Sequence, residues 1–467
     1  MQNQKVKIHK PNIISQILHP SEYIMGIKMI DERKGLLNIS APMGASYEDI
    51  LLCERMLNEI SRNMSHVIKE LPDCLRLPVA LFYLYYKTLQ VLYDIPLQSL
   101  ENFNDFITTD ISNDIIPSSK QIKEDLLTTF YECLTNDSEL NFNSIDTGKE
   151  SNNELLSNIQ TINNVFKTLP EYHQEIMIET IQRIGSGMAE YSLRDLSSGT
   201  ENKADFEEYN IKLAGELGVG LTKQFIGTNL ESNSFDKNDF IFAAKLGSFV
   251  KKANIIRDYY KDLLNNKSFW PREVWSLYRK TLPELRFGES SDVACLNHMI
   301  TDTLEDIPLC IEYLSKIQNP NVFRFCAIPQ IKSLAILAEA YGNRNVFNGI
   351  VEIRKGLYAS ILNNCNNIQQ VKGWYQKFAS QILDKVNSND ANATRILEML
   401  NELKAKKNFI PYQFQELVSI LLIVTIFLLV GMCLFYIRPN FNYENGGFTF
   451  RLTQPPDGIS MDVFPDL

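Results

Sequence analysis

The stretch Lys251–Asp262, KKANIIRDYYKD, decides how the chain is read. As a helix it places Asn254, Asp258 and Asp262 at successive intervals of four, so the three side chains stack on one face. Two carboxylates one turn apart repel by about 0.2–0.5 kcal/mol on a bare helix, so the pairing asks for a cause. A hard divalent cation supplies one. Mg²⁺ takes oxygen ligands, uses one or two protein carboxylates and completes its shell with water and substrate phosphate. Arg257, beside the pair, can hold a phosphate oxygen through its fork of N–H donors. A solvated helix face neutralised by Arg257 and Lys261 accounts for the same spacing.

Outward from this stretch the pattern is helical. Apolar residues recur at helical spacing from Tyr47 to Glu70, and Pro78 is expected to start an aromatic-rich helix, Val79–Tyr93, that ends at Pro96. Further helices are expected at Glu154–Leu169, Glu171–Ile184, Phe206–Phe225, Phe240–Leu264, Val293–Ile317, Val322–Ala340 and Val346–Ile361. Residues 99–160 carry clusters of Asn, Asp and Ser and read as a mobile, variable insertion. Gly185-Ser186-Gly187 either bends a helix or lets two approach; no strand precedes it, so it is no dinucleotide fingerprint. With neither strand alternation nor a βα rhythm, the fold class is all-α.

The 467 residues allow one large domain or two, and a 45% apolar, 22% charged composition is that of a globular protein. A net charge of −10 argues against a general nucleic-acid binder. The eight cysteines lack metal spacing and the start lacks a signal peptide, so they read as reduced thiols of a cytosol-facing protein. Residues 1–45 open basic and weakly amphipathic and end in a loop. Near the other end, Leu417–Ile437 runs 21 residues without a charge, about 30 Å as a helix and enough to cross a bilayer. Lys404, Lys406 and Lys407 precede it and Arg438 alone follows closely, which places the large domain in the cytosol.

Beyond spacing, NIIRDYYKD with SFWPREVW (Ser268–Trp275) resembles the second aspartate-rich region of the squalene synthase (farnesyl-diphosphate farnesyltransferase) family. The likeness continues in GMAEY (Gly187–Tyr191), YNIKLAGELGVGL (Tyr209–Leu221), VFRFCAIPQ (Val322–Gln330), VFNG (Val346–Gly349) and IRKG (Ile353–Gly356). It covers about residues 45–360, and the C-terminal anchor fits it as well. The resemblance implies an isoprenoid synthase-type helical bundle around a deep cavity. It divides the chain into a catalytic domain (1–400), a linker (401–416), a transmembrane helix (417–437) and a short tail across the endoplasmic reticulum membrane (438–467). It further implies head-to-head coupling of two farnesyl diphosphates to presqualene diphosphate with Mg²⁺, reduction by NADPH to squalene for sterol synthesis, and a monomer with no nucleic-acid partner.

By the same resemblance Asp258 and Asp262 carry Mg²⁺ and Asn254 adds an oxygen, while Arg257 holds diphosphate. Tyr209 stands at the tyrosine proposed to take up a proton, and Ser61 and Arg62 in ISRNM match a second diphosphate clamp. Phe323, Phe325 and Cys326 match the wall of the second-step cavity. The first aspartate-rich region departs from the pattern. The family's LRALDTVEDD is here YKTLQVLYDI (Tyr86–Ile95), with Lys87 for arginine, Gln90 for the first metal-binding aspartate, Tyr93 for glutamate and Ile95 for the last aspartate. Gln90 and Asp94 remain as the oxygen donors expected there. Lys261 replaces a glutamate in the second region, and Lys212 and Glu216 depart from the family's tyrosine and apolar positions. These changes leave open a working enzyme, an impaired paralogue that binds prenyl diphosphate or regulates the pathway, and an enzyme that stops at presqualene diphosphate or makes a related head-to-head product without reduction.

Overall fold

The computed structural model describes residues 6–11, 44–100, 118–135, 145–231 and 235–405, with positions 19, 22, 142, 425, 428 and 429 and the strand pieces 442–444 and 447–449. The helices in chain order begin with α1 (Tyr47–Ile60), α2 (Arg62–Lys69) and α3 (Asp73–Asp94), then α4 (Ser119–Thr129), α5 (Glu132–Thr135), α6 (Glu150–Ser157) and α7 (Ile159–Phe166). A second set comprises α8 (Glu171–Ser192), α9 (Lys203–Asn210), a π-helical turn (Ile211–Gly215), α10 (Glu216–Gly227), α11 (Lys237–Arg257) and α12 (Tyr259–Leu264). Beyond the four-residue α13 (Arg272–Trp275) come α14 (Ser290–Leu304), α15 (Ile307–Lys316), α16 (Pro320–Ala340), α17 (Lys355–Asn363), α18 (Ile368–Leu383) and α19 (Ala393–Ala405).

Several expected helices are divided, each for a local reason. Ser61 separates α1 from α2; it leaves the helical region (φ −154°, ψ 86°) and its hydroxyl accepts the Met64 N–H at 3.4 Å. Asn158 separates α6 from α7 in the same stretch that periodicity joined. Pro78 does not start α3 but lies inside it, because buried Leu75 and Leu77 bring the preceding turn into the core. At the other end Ile95 leaves the helix ahead of Pro96, as expected.

Residues 99–160 are not a loose insertion where they are described. Leu126, Leu127, Phe130, Leu155, Leu156 and Ile159, between the start of α4 and the start of α7, all enter the core, so the polar runs are connectors between core helices. Two short strand pairs add to the helices: Ile8–His9 runs parallel to Ile350–Val351, and Asn442–Glu444 pairs antiparallel with Gly447–Thr449. Two or three residues cannot show an alternation, which hides such pairs from a sequence reading.

Helix α11 is the axis of the bundle and packs against the π turn, α10, α14, α15 and α16. Close approach is allowed by glycine: a Cβ on Gly247 would stand 2.1 Å from the Ala214 carbonyl oxygen, and one on Gly218 2.5 Å from that of Ala243. A buried ion cluster fixes the rotation of α11. Lys252 meets Asp306 at 2.7 Å and also pairs with Glu207, while Lys245 meets Glu207 at 2.6 Å. Among the described residues the cysteines are free and, Cys74 apart, buried. The stretch Leu417–Ile437 lies outside the described residues except at isolated positions; no helix among those described is long and apolar enough to cross a membrane.

Candidate functional site

A cavity of about 570 Å³ opens between α3, the α9–α10 segment, α11–α12 and α16. Each wall is a helix face. From α3 come Tyr83, Tyr86, Lys87, Gln90, Tyr93 and Asp94, a run of three- and four-residue steps; from α16 come Phe325, Pro329, Lys332 and Ile336 at the same period. Asn254, Asp258 and Asp262 line the opposite wall together. Helix α11 breaks at Asp258 (φ −90°, ψ 6°), yet the Asp258 N–H still reaches the Asn254 carbonyl at 2.9 Å and the Asp262 N–H the Asp258 carbonyl at 3.0 Å. The common face survives the break.

The two aspartates differ. Arg257 holds Asp258 in a two-point fork, Nε–Oδ1 2.7 Å and Nη2–Oδ2 2.8 Å. Burial, and then the charge of Asp258, push the Asp262 carboxyl up to about 7. Tyr209 is wholly buried, stacked on Phe269 at 4.6 Å and edge-on to Tyr191 at 4.9 Å. Its hydroxyl lacks a well-formed hydrogen bond and is turned toward Tyr93. Burial holds that phenol well above its usual value, so it rests protonated.

Of the other residues singled out in the sequence, Ser61, Lys87, Gln90, Asp94, Phe325 and Cys326 line the cavity, and the Ser61 hydroxyl meets that of Tyr83. Two expected residues do not. Arg62 is exposed and off the cavity wall, turned outward by the bend at Ser61. Phe323 is buried but stands two residues, about 200° of helix, from Phe325 and points elsewhere. Lys212 also faces away, bound to Glu190 (2.6 Å) and Glu208 (2.7 Å). Lys251 and Lys332 were missed and both line the cavity. Lys332 had a signal: it is a lone charge between Phe325 and Ala338, in FCAIPQIKSLAILA.

The oxygen donors test the fit for Mg²⁺. Asn254, Asp258 and Asp262 suit one hard cation on their wall. The α3 wall does not suit another. There the Gln90 oxygen accepts from Lys87 Nζ at 2.8 Å, and Lys267 and Lys123 lie 5.0 and 5.8 Å from the Tyr93 ring centre. Asp94 is 73% exposed, 3.5 Å from Lys267. Gln90 and Asp94 thus stand among ammonium groups, and among the described residues no three His, Cys, Asp or Glu side chains converge. For NADPH the described strands are too short to form a βα turn of the kind that cradles a dinucleotide, and no residues single out its pocket.

A squalene/phytoene synthase family profile matches residues 57–356. The chain belongs to the squalene/phytoene synthase family. Similar relatives include squalene synthases of Nicotiana benthamiana (32% identity; 83% of this chain, 90% of that one) and Mus musculus (32%; 76% and 79%). Among solved structures it resembles a complex of TcSQS with the ligand BPH1237, at a TM-score of 0.67 and 28% identity over 77% of this chain and all of that one. The mostly helical squalene synthase fold expected from the motifs is the fold observed, and the chain is an enzyme of this family.

Proposed function

We propose that this family member couples two farnesyl diphosphates head to head through presqualene diphosphate and reduces the product to squalene, with NADPH as reductant, in sterol synthesis. The observation that carries the proposal is the cavity itself. It sets a polar end (Asn254, Arg257, Asp258, Asp262 against Lys87) on an apolar chamber walled by Leu217, Leu221 and Phe325. A diphosphate suits the first part and a farnesyl chain the second.

In this scheme Asp258 and Asp262 would hold Mg²⁺, which when bound supplies positive charge to the departing diphosphate. Arg257 holds Asp258 in place on the cavity wall through its two-point fork, and with Lys87 it offers N–H donors to phosphate oxygens. Aromatic faces of Tyr83, Tyr86 and Phe269 shield an allylic cation from water and stabilise its charge. Tyr209, a phenol at rest, would relay the proton lost during coupling: it accepts that proton as its own O–H proton passes to the released diphosphate. Phe325 and Cys326 shape the chamber for the later rearrangement. The stretch 417–437 would anchor the chain in the endoplasmic reticulum membrane with the catalytic domain in the cytosol.

The decisive experiment supplies the full chain with Mg²⁺ and labelled farnesyl diphosphate, with and without NADPH, and identifies the products. Squalene only with NADPH is expected. Presqualene diphosphate persisting despite NADPH would instead indicate an enzyme that stops at the first step. Tight binding without turnover would support a binding or regulatory role, the reading favoured by the neutral Gln90 and Tyr93.

A further inference from the structure

The cavity holds more positive than negative charge. Lys87, Lys251, Arg257, Lys261 and Lys332 line it, against Asp94, Asp258 and Asp262. Lys87 donates to Gln90 and Arg257 is forked onto Asp258, whereas among the described residues Lys332 meets only an aromatic face, 5.2 Å from the Tyr358 ring centre. Lys251 is in the same position on the α11 wall. It is half-buried, its ammonium 5.9 Å from the Tyr209 ring centre, and it makes no hydrogen bond or ion pair among the described residues. The next residue, Lys252, is deeply buried and salt-bridged to Asp306, so the two adjacent lysines have opposite fates.

The charges of Asp94, Asp262 and Asp258 all reach Lys251 while none closes an ion pair with it, and Lys87 is near enough to oppose its charge. Burial outweighs the carboxylates and pulls the Lys251 ammonium below its usual value, so the group is under-compensated where it lines the cavity. An unpaired ammonium in a concave, half-dry site is costly, and two that oppose each other are relieved by an anion between them.

We infer that Lys251 is a resident cation of the site and, with Lys87, binds the substrate diphosphate on the α3 side without a metal ion there. This rests on the diphosphate reading of the cavity and adds to it a division of labour. Magnesium serves the Asp258–Asp262 wall, and fixed ammonium groups serve the wall of α3. On the α3 side the phosphate oxygens are then met by N–H donors in place of a second divalent ion.

The test is calorimetric titration of the full chain with inorganic pyrophosphate, in EDTA and again with Mg²⁺. The wild-type chain is expected to bind pyrophosphate in EDTA. Lys251→Gln should lose about tenfold or more of that metal-free affinity, and Lys251→Arg should keep it within about threefold. Circular dichroism checks that the variants are folded; if Lys251→Gln is not, the two wild-type titrations still decide. Binding that requires Mg²⁺, or an unchanged affinity in folded Lys251→Gln, overturns the inference and leaves the diphosphate reading standing. No binding under either condition overturns both.

Discussion

Asp258 and Asp262 share a helix face but not an environment: one is clamped by Arg257, the other half-buried, its carboxyl held up by loss of solvent and by its neighbour's charge. Replacing both with Asn should cut prenyl coupling by about a thousandfold or more, since the charge facing the diphosphate end is removed while volume is kept. Initial rates with labelled farnesyl diphosphate check this, and an undiminished rate would take the chemistry away from this helix. Lys332 makes a different prediction. Burial, then the nearby Arg257, pull its ammonium down to about 8, against about 10.4 in an unfolded chain. Between those values the unfolded state binds more protons, so this group makes stability rise with pH across roughly 8 to 10.4. Below about 8 its full penalty applies. Lys332→Met should therefore stabilise the protein at pH 7 by about 1–3 kcal/mol and flatten that slope. Melting curves across the window measure both effects, and a variant less stable than the wild type at pH 7 would refute the account.

At the scale of elements, α11 depends on backbone approaching backbone. Gly247→Ala places a methyl group against the Ala214 carbonyl and should destabilise by about 1–3 kcal/mol. Gly373→Ala, in α18 with open space around the added carbon, should leave stability unchanged or raise it by up to about 1 kcal/mol. Thermal unfolding of the pair separates crowding from helix propensity. On α3, Gln90→Asp with Tyr93→Glu returns two carboxylates to a wall crowded by Lys87, Lys123 and Lys267. The expected result is little gain in coupling rate, because those carboxylates would pair with the lysines before reaching a metal ion; a gain of a hundredfold or more would identify a relic metal site. These elements also show what a sequence conveys. The shared face of Asn254, Asp258 and Asp262 follows from helical geometry alone, and the family likeness from long ordered motifs. The break at Asp258 and the outward turn of Arg62 after Ser61 arise from packing that periodicity does not encode. Phe323 was misplaced although the 200° step from Phe325 is arithmetic, because a resemblance transfers a segment and not a facing. Lys251 was unreadable for another reason: beside Lys252 it resembles any pair of surface lysines until the folded chain shows which one enters the cavity.

Across the whole molecule, one helix carries both kinds of cation: among the described residues Lys251 lines the cavity with neither a hydrogen bond nor an ion pair, while Lys245 and Lys252 are neutralised by Glu207 and Asp306 behind it. That difference separates scaffold from site better than residue type does. If the uncharged stretch 417–437 is an anchor, the full chain should remain with membranes through an alkaline carbonate wash, and a chain ending at residue 405 should not. Fractionation of both forms checks it; release of the full chain would remove the anchor from the proposal.

The parallel pairing of Ile8–His9 with Ile350–Val351 has a practical consequence. Glu22, almost completely enclosed, binds Arg354 at 2.8 and 3.1 Å, and a Cβ on Gly356 would meet the Glu22 carbonyl oxygen at 2.3 Å. Ile8–His9 and Glu22 are thus fastened close to α17, whose Tyr358 closes one corner of the prenyl chamber. Anyone trimming the start of the chain to make it easier to handle would undo those fastenings and take from Arg354 the Glu22 carboxylate it is forked onto. The disturbance would be felt more than three hundred residues downstream, as a loosened corner where the hydrocarbon tail is meant to lie.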